Sequence, residues 1–348
     1  MKGFKAIYFK KNTLYILDQR FLPQQVKYVK CKTGEDVFWA IKKMKIRGAP
    51  AIGVSAGFGV VLEALRNSKL KKDKFLKHIR KTIKKLSKSR PTAWNLFWVL
   101  NKMEEVLKQC RDYSVSQISK ILLKKAEEIF EKEKQDAFLI GKYGSQLINE
   151  NDKILTICNA GALATVDWGT ALSIIYQAHQ QGKNIKVYAC ETRPLLQGAR
   201  LTVWELLREK VKVILTTDFG AGRLFQEKKI DKVIIGADRI TSTGDVANKI
   251  GSFTLSLLAH FHKVPFYVAA PLSTFDLSIR NWEEIPIEQR HKKEVIYIKN
   301  IPITHPKVEV FNPAFDCVPH RFITAIITNK GIIWPPFEKN IKKLVNNG

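Results

Sequence analysis

Hydrophobic positions change rhythm along this chain, and the changes divide it. Between residues 4 and 18 apolar and polar residues alternate in two short runs around the turn Lys10-Lys11-Asn12-Thr13, and residues 26–29 continue the alternation. A period of two predicts strands, here a small antiparallel sheet. Apolar residues then recur at helical spacing over 34–45, 49–68, 69–90, 93–108 and 116–149, so five helices are expected, the last one long. Gly48-Ala49-Pro50 and Ser89-Arg90-Pro91 punctuate that series, as proline does near helix starts. From Lys153 onward, short apolar runs at 154–157, 185–189, 211–215, 233–235, 266–269 and 323–327 alternate with helical stretches. That alternation predicts a parallel sheet wound on both faces by helices. The expected fold class is α/β: a Rossmann-like doubly wound domain over residues 131–348, preceded by a smaller helical domain with a short antiparallel sheet over residues 1–130.

The ends of the predicted parallel strands carry the candidate chemistry. Val233 to Ile235 stop abruptly at Gly236, Ala237 and Asp238, which delivers the carboxylate to the sheet's carboxyl edge, where open α/β sheets bind ligands. Thr243-Gly244-Asp245 predicts a turn and a helix start, with Asn248, Lys249, Ile250 and Gly251 on the first helical turns, where free N–H groups favour an anion. Leu155 to Ile157 end in the same way at Cys158, followed by the small residues Ala160 and Gly161. A cysteine ending a strand is, taken alone, more often a small core residue. Paired with Asp238, it gives one sheet edge two proton-transferring groups, as a carbon-acid reaction needs. In a closed apolar site desolvation raises the pKa of an acid such as Asp238; the competing reading is a carboxylate paired with Arg239 or capping a helix. Arg47 precedes Gly48 and Ala49 at the head of an apolar helix, a suitable phosphate cradle, and Arg90 holds a comparable position before another helix. Gln197 could hydrogen-bond a sugar hydroxyl or serve as a cap.

Composition narrows the classes. A chain of 348 residues with 45% apolar and 26% charged content can bury a large core in two domains. The formal net charge of +27 raises nucleic acid as a partner. Much of the excess falls in the run from Lys69 to Arg90, where Leu70, Phe75, Ile79, Ile83 and Leu86 keep helical spacing, and in Lys339 to Lys343. With no aromatic-interleaved RNA motif and no zinc-finger spacing, the run reads as a solvated helix face; salt-dependent RNA binding through Lys81, Lys84 and Lys85, as a side activity, is the competing and less expected reading. Five cysteines without a CxxC pair argue for a reducing compartment and against disulfides or structural zinc. No signal-peptide core or long uninterrupted apolar span is present, so a cytoplasmic protein is expected. Gly220-Ala221-Gly222 is a lone GxG after Asp218 rather than a dinucleotide fingerprint, and His260 and His262 lie off one helix face, so neither NAD nor a metal is expected.

RGAPAIG, SRPTAWNL, ICNAGALAT, ETRPLLQGARLT, IIGADRI with GDVANKIG, PFYVAAPLSTFD and NPAFD, in this order between about residues 40 and 333, resemble the methylthioribose-1-phosphate isomerases. That family is similar in fold to ribose-1,5-bisphosphate isomerases and to regulatory subunits of the exchange factor for eukaryotic initiation factor two. The resemblance implies an aldose to ketose isomerisation in methionine salvage, performed without metal or cofactor, usually by a homodimer. It further implies Cys158 and Asp238 as the catalytic pair and Arg47, Gly48, Ala49, Arg90, Gln197, Asn248 and Lys249 as substrate ligands. Isomerisation of ribose 1,5-bisphosphate or 5-deoxyribose 1-phosphate, and a non-catalytic regulatory role, are the competing expectations. Three departures from the family's pattern stand out: Ala160 in place of a Thr-like residue, Cys190 where an acid is common, and Ser242-Thr243 before Gly244. An uncharged Cys190 could change a pocket's charge and the preferred sugar.

Overall fold

The computed structural model describes residues 3–90, 93–110, 112–298 and 300–346. The chain forms two compact units, Met1–Phe138 with Ala160–Gly169, and Leu139–Asn159 with Thr170–Gly348.

In the first unit, β1 (Ile7–Lys10), β2 (Thr13–Leu17) and β3 (Tyr28–Cys31) form an antiparallel meander. Helices α1 (Gly34–Lys42), α2 (Ala49–Arg66), α3 (Lys72–Ser87) and α4 (Trp94–Gln109) follow, then α5 (Val115–Gly144), whose last turns belong to the second unit. Thr33 and Asp36 close a capping box that starts α1. By length and composition α2 could cross a membrane, but 83% of it is buried; it is the core helix of this unit, flanked by α1, α3 and α4. The buried stripe of α3 is Phe75, Ile79 and Leu86, while Leu70 precedes the helix and is exposed. The buried stripe of α5 runs Ile118, Leu122, Ala126, Ile129 and then, against the pattern, Glu133 and Asp136. Burial, with Asp136 nearby, pushes the Glu133 carboxyl up to about 8.

The second unit holds β4 (Lys153–Thr156), α6 (Ala171–Gln180), β5 (Lys186–Cys190), α7 (Val203–Arg208), β6 (Lys212–Thr216), α8 (Gly220–Gln226) and β7 (Lys232–Ile235). After these come β8 (Arg239–Thr241), β9 (Val246–Lys249), α9 (Ser252–Phe261), β10 (Phe266–Ala269), β11 (Phe275–Asp276) and α10 (Lys293–Ile296). The chain ends with β12 (Tyr297–Ile298), β13 (Ile301–Pro302), β14 (Phe315–Val318), β15 (Ala325–Thr328), β16 (Gly331–Ile333) and α11 (Phe337–Asn346). The main sheet has the order β16-β15-β10-β7-β4-β5-β6, parallel except for β16 at the edge. From β4 the chain adds β5 and β6 on one side, then crosses to add β7, β10 and β15 on the other. The doubly wound fold expected from the apolar runs is therefore present, and the strand order reverses between β4 and β7, where such sheets open a crevice at their carboxyl ends.

A second sheet, β11-β8-β9-β14, corrects one expectation. Residues 243–251 do not begin a helix: β8 and β9 form an antiparallel hairpin turning at Gly244, whose φ of +93° suits glycine, and α9 starts only at Ser252. The buried Ile240 and Val246 pair there, and Gly251, also at positive φ, makes the break before the helix.

Candidate active site

Cys158 lies just beyond the end of β4. Leu155 is in register with Val233 of β7, so Cys158 and Asp238 both stand past the carboxyl ends of adjacent strands, at the reversal point. Cys158 is 9% exposed and its backbone sits at φ +64°, a left-handed conformation that costs a non-glycine residue about 1–2 kcal/mol. Two threonines hold it there: its N–H donates to Thr192 Oγ1 at 2.8 Å, and Thr202 Oγ1 donates to its carbonyl at 2.6 Å. Thr192 also donates to the Cys190 carbonyl (3.0 Å), while its own N–H and that of Arg193 donate to the two Asp218 carboxylate oxygens at 2.8 and 2.7 Å. Below Cys158, Asn159 Nδ2 donates to Glu205 at 2.8 Å and to Thr202 at 3.3 Å, and the Tyr176 hydroxyl donates to the second Glu205 oxygen at 3.2 Å. Burial and the Glu205 charge hold the Tyr176 hydroxyl well above its ordinary value, so it stays a donor.

The loop after β5 carries Gln197, which is buried, with its Oε1 lacking a hydrogen-bond partner among the described residues. A buried acceptor left unpaired is costly, and a hydroxyl of a bound sugar would satisfy it. The loop can pack so tightly only because the next residue is glycine: a Cβ on Gly198 would lie 1.7 Å from the Cys190 carbonyl oxygen. Cys190 itself belongs to the hydrophobic core, and burial pushes its thiol up to about 12. It is an uncharged residue of the core.

Asp238 is half-buried, and its N–H donates to the Ala247 carbonyl of β9 at 2.9 Å, which ties it to the hairpin. Arg239 forms a buried pair with Asp276, Nη1 to Oδ2 3.5 Å. On β9, the buried Asn248 donates to Ser252 Oγ at 2.8 Å, and Lys249 donates to the Ala314 carbonyl at 2.9 Å with its ammonium 4.8 Å from the centre of the Phe315 ring. The amides at the start of α9, expected to face an anionic ligand, are occupied: Asp316 accepts from Gly251 N–H at 2.7 Å and Phe253 N–H at 3.1 Å. The anion at that helix terminus is a side chain of the protein itself.

In the first unit, Arg47 and Ala49 are buried and flank Gly48, the residue before α2, at φ +93°. The Ala160–Gly169 segment packs on it: Ala51 N–H donates to the Ala164 carbonyl at 3.2 Å, and Gln19 Nε2 donates to the Leu163 carbonyl at 2.6 Å. Arg90 is half-buried ahead of α4; Pro91 and Thr92 of its motif lie outside the described residues. Five of the nine expected site residues, Cys158, Gln197, Asp238, Asn248 and Lys249, thus fall on the segments after β4, β5 and β7, and Arg47, Gly48, Ala49 and Arg90 fall at helix starts of the first unit. Thr192, Thr202, Glu205 and Asp218 were not singled out as site residues from the sequence. Asp218 follows the apolar run 211–215 by three residues, as Asp238 follows Ile235, and the same strand-end logic finds it.

A family model described as the initiation factor 2 subunit family matches residues 45–335. The chain belongs to that family. Its relatives include a methylthioribose-1-phosphate isomerase from Caldanaerobacter subterraneus, 49% identical over 344 residues that cover 99% of this chain and 100% of the relative. Methylthioribose-1-phosphate isomerase 1 of Pseudothermotoga lettingae is 50% identical over 335 residues, 96% of each chain. Among solved structures, 5-methylthioribose 1-phosphate isomerase from Pyrococcus horikoshii superposes with a TM-score of 0.93 and 40% identity, covering 100% of this chain and 97% of the other. A structure described as translation initiation factor eIF-2B, subunit delta, from A. fulgidus superposes with a TM-score of 0.87 and 41% identity over 99% and 100%.

Proposed function

We propose that this chain converts 5-methylthioribose 1-phosphate, a cyclic aldose phosphate, to the ketose 5-methylthioribulose 1-phosphate in methionine salvage. The observation that carries the reading is the pair Cys158 and Asp238 at the reversal point of the sheet, in a chain half-identical over its whole length to relatives named for that reaction. The ring must open first: a protonated Asp238 donates to the ring oxygen as its bond to C1 breaks. Hydrogen then passes from C2 to C1 while the C2 hydroxyl returns a proton to the Asp238 carboxylate and becomes the ketone. Cys158 either takes the C2 proton, giving an enolate that is reprotonated at C1, or stabilises a direct hydride shift between the two carbons. Gln197, with its unpaired buried oxygen, binds a sugar hydroxyl. Arg47, the Gly48 and Ala49 amides, Arg90, Asn248 and Lys249 complete the proposed substrate ligands, the cations opposing phosphate charge. The roles assigned to residues 1–130 and 131–348 are then phosphate binding and catalysis. A cytoplasmic homodimer belongs to the same reading.

The structure named for eIF-2B, at an identity close to that of the isomerase structure, favours one other reading, a non-catalytic regulatory subunit. Phosphorus and carbon NMR of methylthioribose 1-phosphate in deuterated water separates the two. Ketose formed by the wild type, and lost in Cys158→Ser and Asp238→Asn, supports the isomerase; deuterium at C1 selects the enolate route over a hydride shift. No turnover by the wild type, with ribose 1,5-bisphosphate and 5-deoxyribose 1-phosphate as further substrates, would sink the catalytic reading.

A further inference from the structure

The first unit carries 32 Lys and Arg against 14 Asp and Glu, most of the chain's positive excess, and α3 concentrates it. Lys74, Lys77, Lys81, Lys84 and Lys88, at successive spacings of 3, 4, 3 and 4 residues, fall on one face of the helix and its C-cap, and all five are exposed. None of the five forms an ion pair among the described residues. The neighbouring cations of the same helix do: Arg80 pairs with Glu104 and Lys85 with Glu35. A solvated helical face in this protein is built differently. On α5, Lys125 pairs with Glu128, Lys134 with Glu131 and Lys132 with Asp136, each three or four residues away. On α3 the only acid is Asp73, so the lysine row stands next to itself, like charge beside like charge at every step.

We propose that this row is a sequence-independent docking surface for the phosphate backbone of a nucleic-acid duplex. Its length fits: 14 residues of helix rise about 21 Å, which along a duplex axis covers about six base-pair steps, over half a turn, so the row meets phosphates of both strands, up to about one per lysine. The row itself offers nothing to the other nucleic-acid mode. Phe75 is buried and is the only Phe, Tyr or Trp of α3, so the helix offers no exposed ring on which unpaired bases could stack. Insertion into a bilayer is excluded too, because the apolar stripe of Phe75, Ile79 and Leu86 that a membrane helix would use lies in the protein's own core. Lysines alone, without base-reading side chains, position a backbone and read no sequence.

The test is fluorescence anisotropy with labelled 20-base-pair RNA and DNA duplexes of arbitrary sequence, between 50 and 200 mM salt. Five phosphate contacts give a slope of log affinity on log salt of about −4.5, a loss of about 500-fold across that range. Substituting the five lysines by Gln abolishes binding, substituting them by Arg retains it, and each single Lys→Gln change flattens the slope by about 0.9. Lys210, Lys263, Lys307, Lys330 and Lys343, exposed in the second unit, changed together to Gln give the same loss of net charge and leave the slope in place. Equal weakening by the two quintuple variants would reduce the effect to overall charge and overturn the proposal. So would the absence of salt-dependent binding, or tighter capture of the wild type by phosphatidylserine vesicles than by either duplex. Unchanged far-UV circular dichroism and thermal unfolding midpoint in every variant show that the fold is intact.

Discussion

Three glycines separate the two ways in which a missing side chain can matter, and Gly48 combines both. Its backbone, φ +93° and ψ +129°, lies where an L-residue is strained by about 1–3 kcal/mol. A Cβ there would also meet the Ala164 backbone, 2.2 Å from the carbonyl oxygen and 2.4 Å from Cα, and a backbone cannot swing aside as a side-chain tip can. Forcing the two segments apart costs a further 1–3 kcal/mol or so, giving about 2–6 kcal/mol for Gly48→Ala. Gly182, just past the end of α6, has φ +83° but nothing within 4 Å of its Cβ position, so Gly182→Ala pays the strain alone, about 1 kcal/mol. Gly222, inside α8, has neither positive φ nor a neighbour within 4 Å, and Ala there gains roughly 0.5–1 kcal/mol of helix propensity. Native-state hydrogen exchange resolved by peptide reads the opening free energy of each unit separately. A Gly48→Ala loss no larger than that of Gly182→Ala would refute the steric part of the argument, and a loss at Gly222 would refute its account of the helix.

Two further outcomes test buried charge. Because burial raises the folded-state pKa of Glu133 to about 8, the native protein holds that proton more tightly than the unfolded chain. Wild-type stability therefore declines from the ordinary carboxylate range up to about pH 8, and Glu133→Gln removes that decline and is the more stable protein at pH 8; urea unfolding at pH 5 and pH 8 that shows the same pH dependence in both refutes the account. Lys232 and Asp152 form a buried pair at 2.6 Å, and Asp152 also accepts the Asn149 N–H, so Asp152→Ala strands a buried ammonium and costs about 3–5 kcal/mol. Adding Lys232→Met to that variant recovers most of the loss, as equilibrium unfolding of the single and double variants would show.

What the sequence disclosed, and what it concealed, follows the range of the interactions. The helices of the first unit and six strands of the main sheet are set by local periodicity, and each lies within a few residues of its expected place. The stretch from Thr243 to Gly251 misled because its partners are remote: β9 pairs with β14, where Asn248 is in register with Asp316, and Asp316, 65 residues beyond Gly251, fills the helix terminus that had been expected to wait for a ligand. Glu133 and Asp136 continue a stripe that begins apolar, and only packing reveals that their carboxyls are buried with it. The same division runs through the site. Cys158 and Asp238 were legible because a strand that ends in a polar residue presents it at the sheet edge whatever surrounds it. Their support was not, since Thr192 and Thr202 reach Cys158 from 34 and 44 residues away. Those two contacts answer the question that local sequence leaves open at Cys158, namely why a side chain other than glycine holds φ +64° there. Bonds to both its N–H and its carbonyl offset the strain, and the loops that follow β5, clamped by Asp218, supply them. Cys158 is thus held by residues that follow a different strand, which is why its backbone geometry belongs to the sheet's order and not to the CN motif alone.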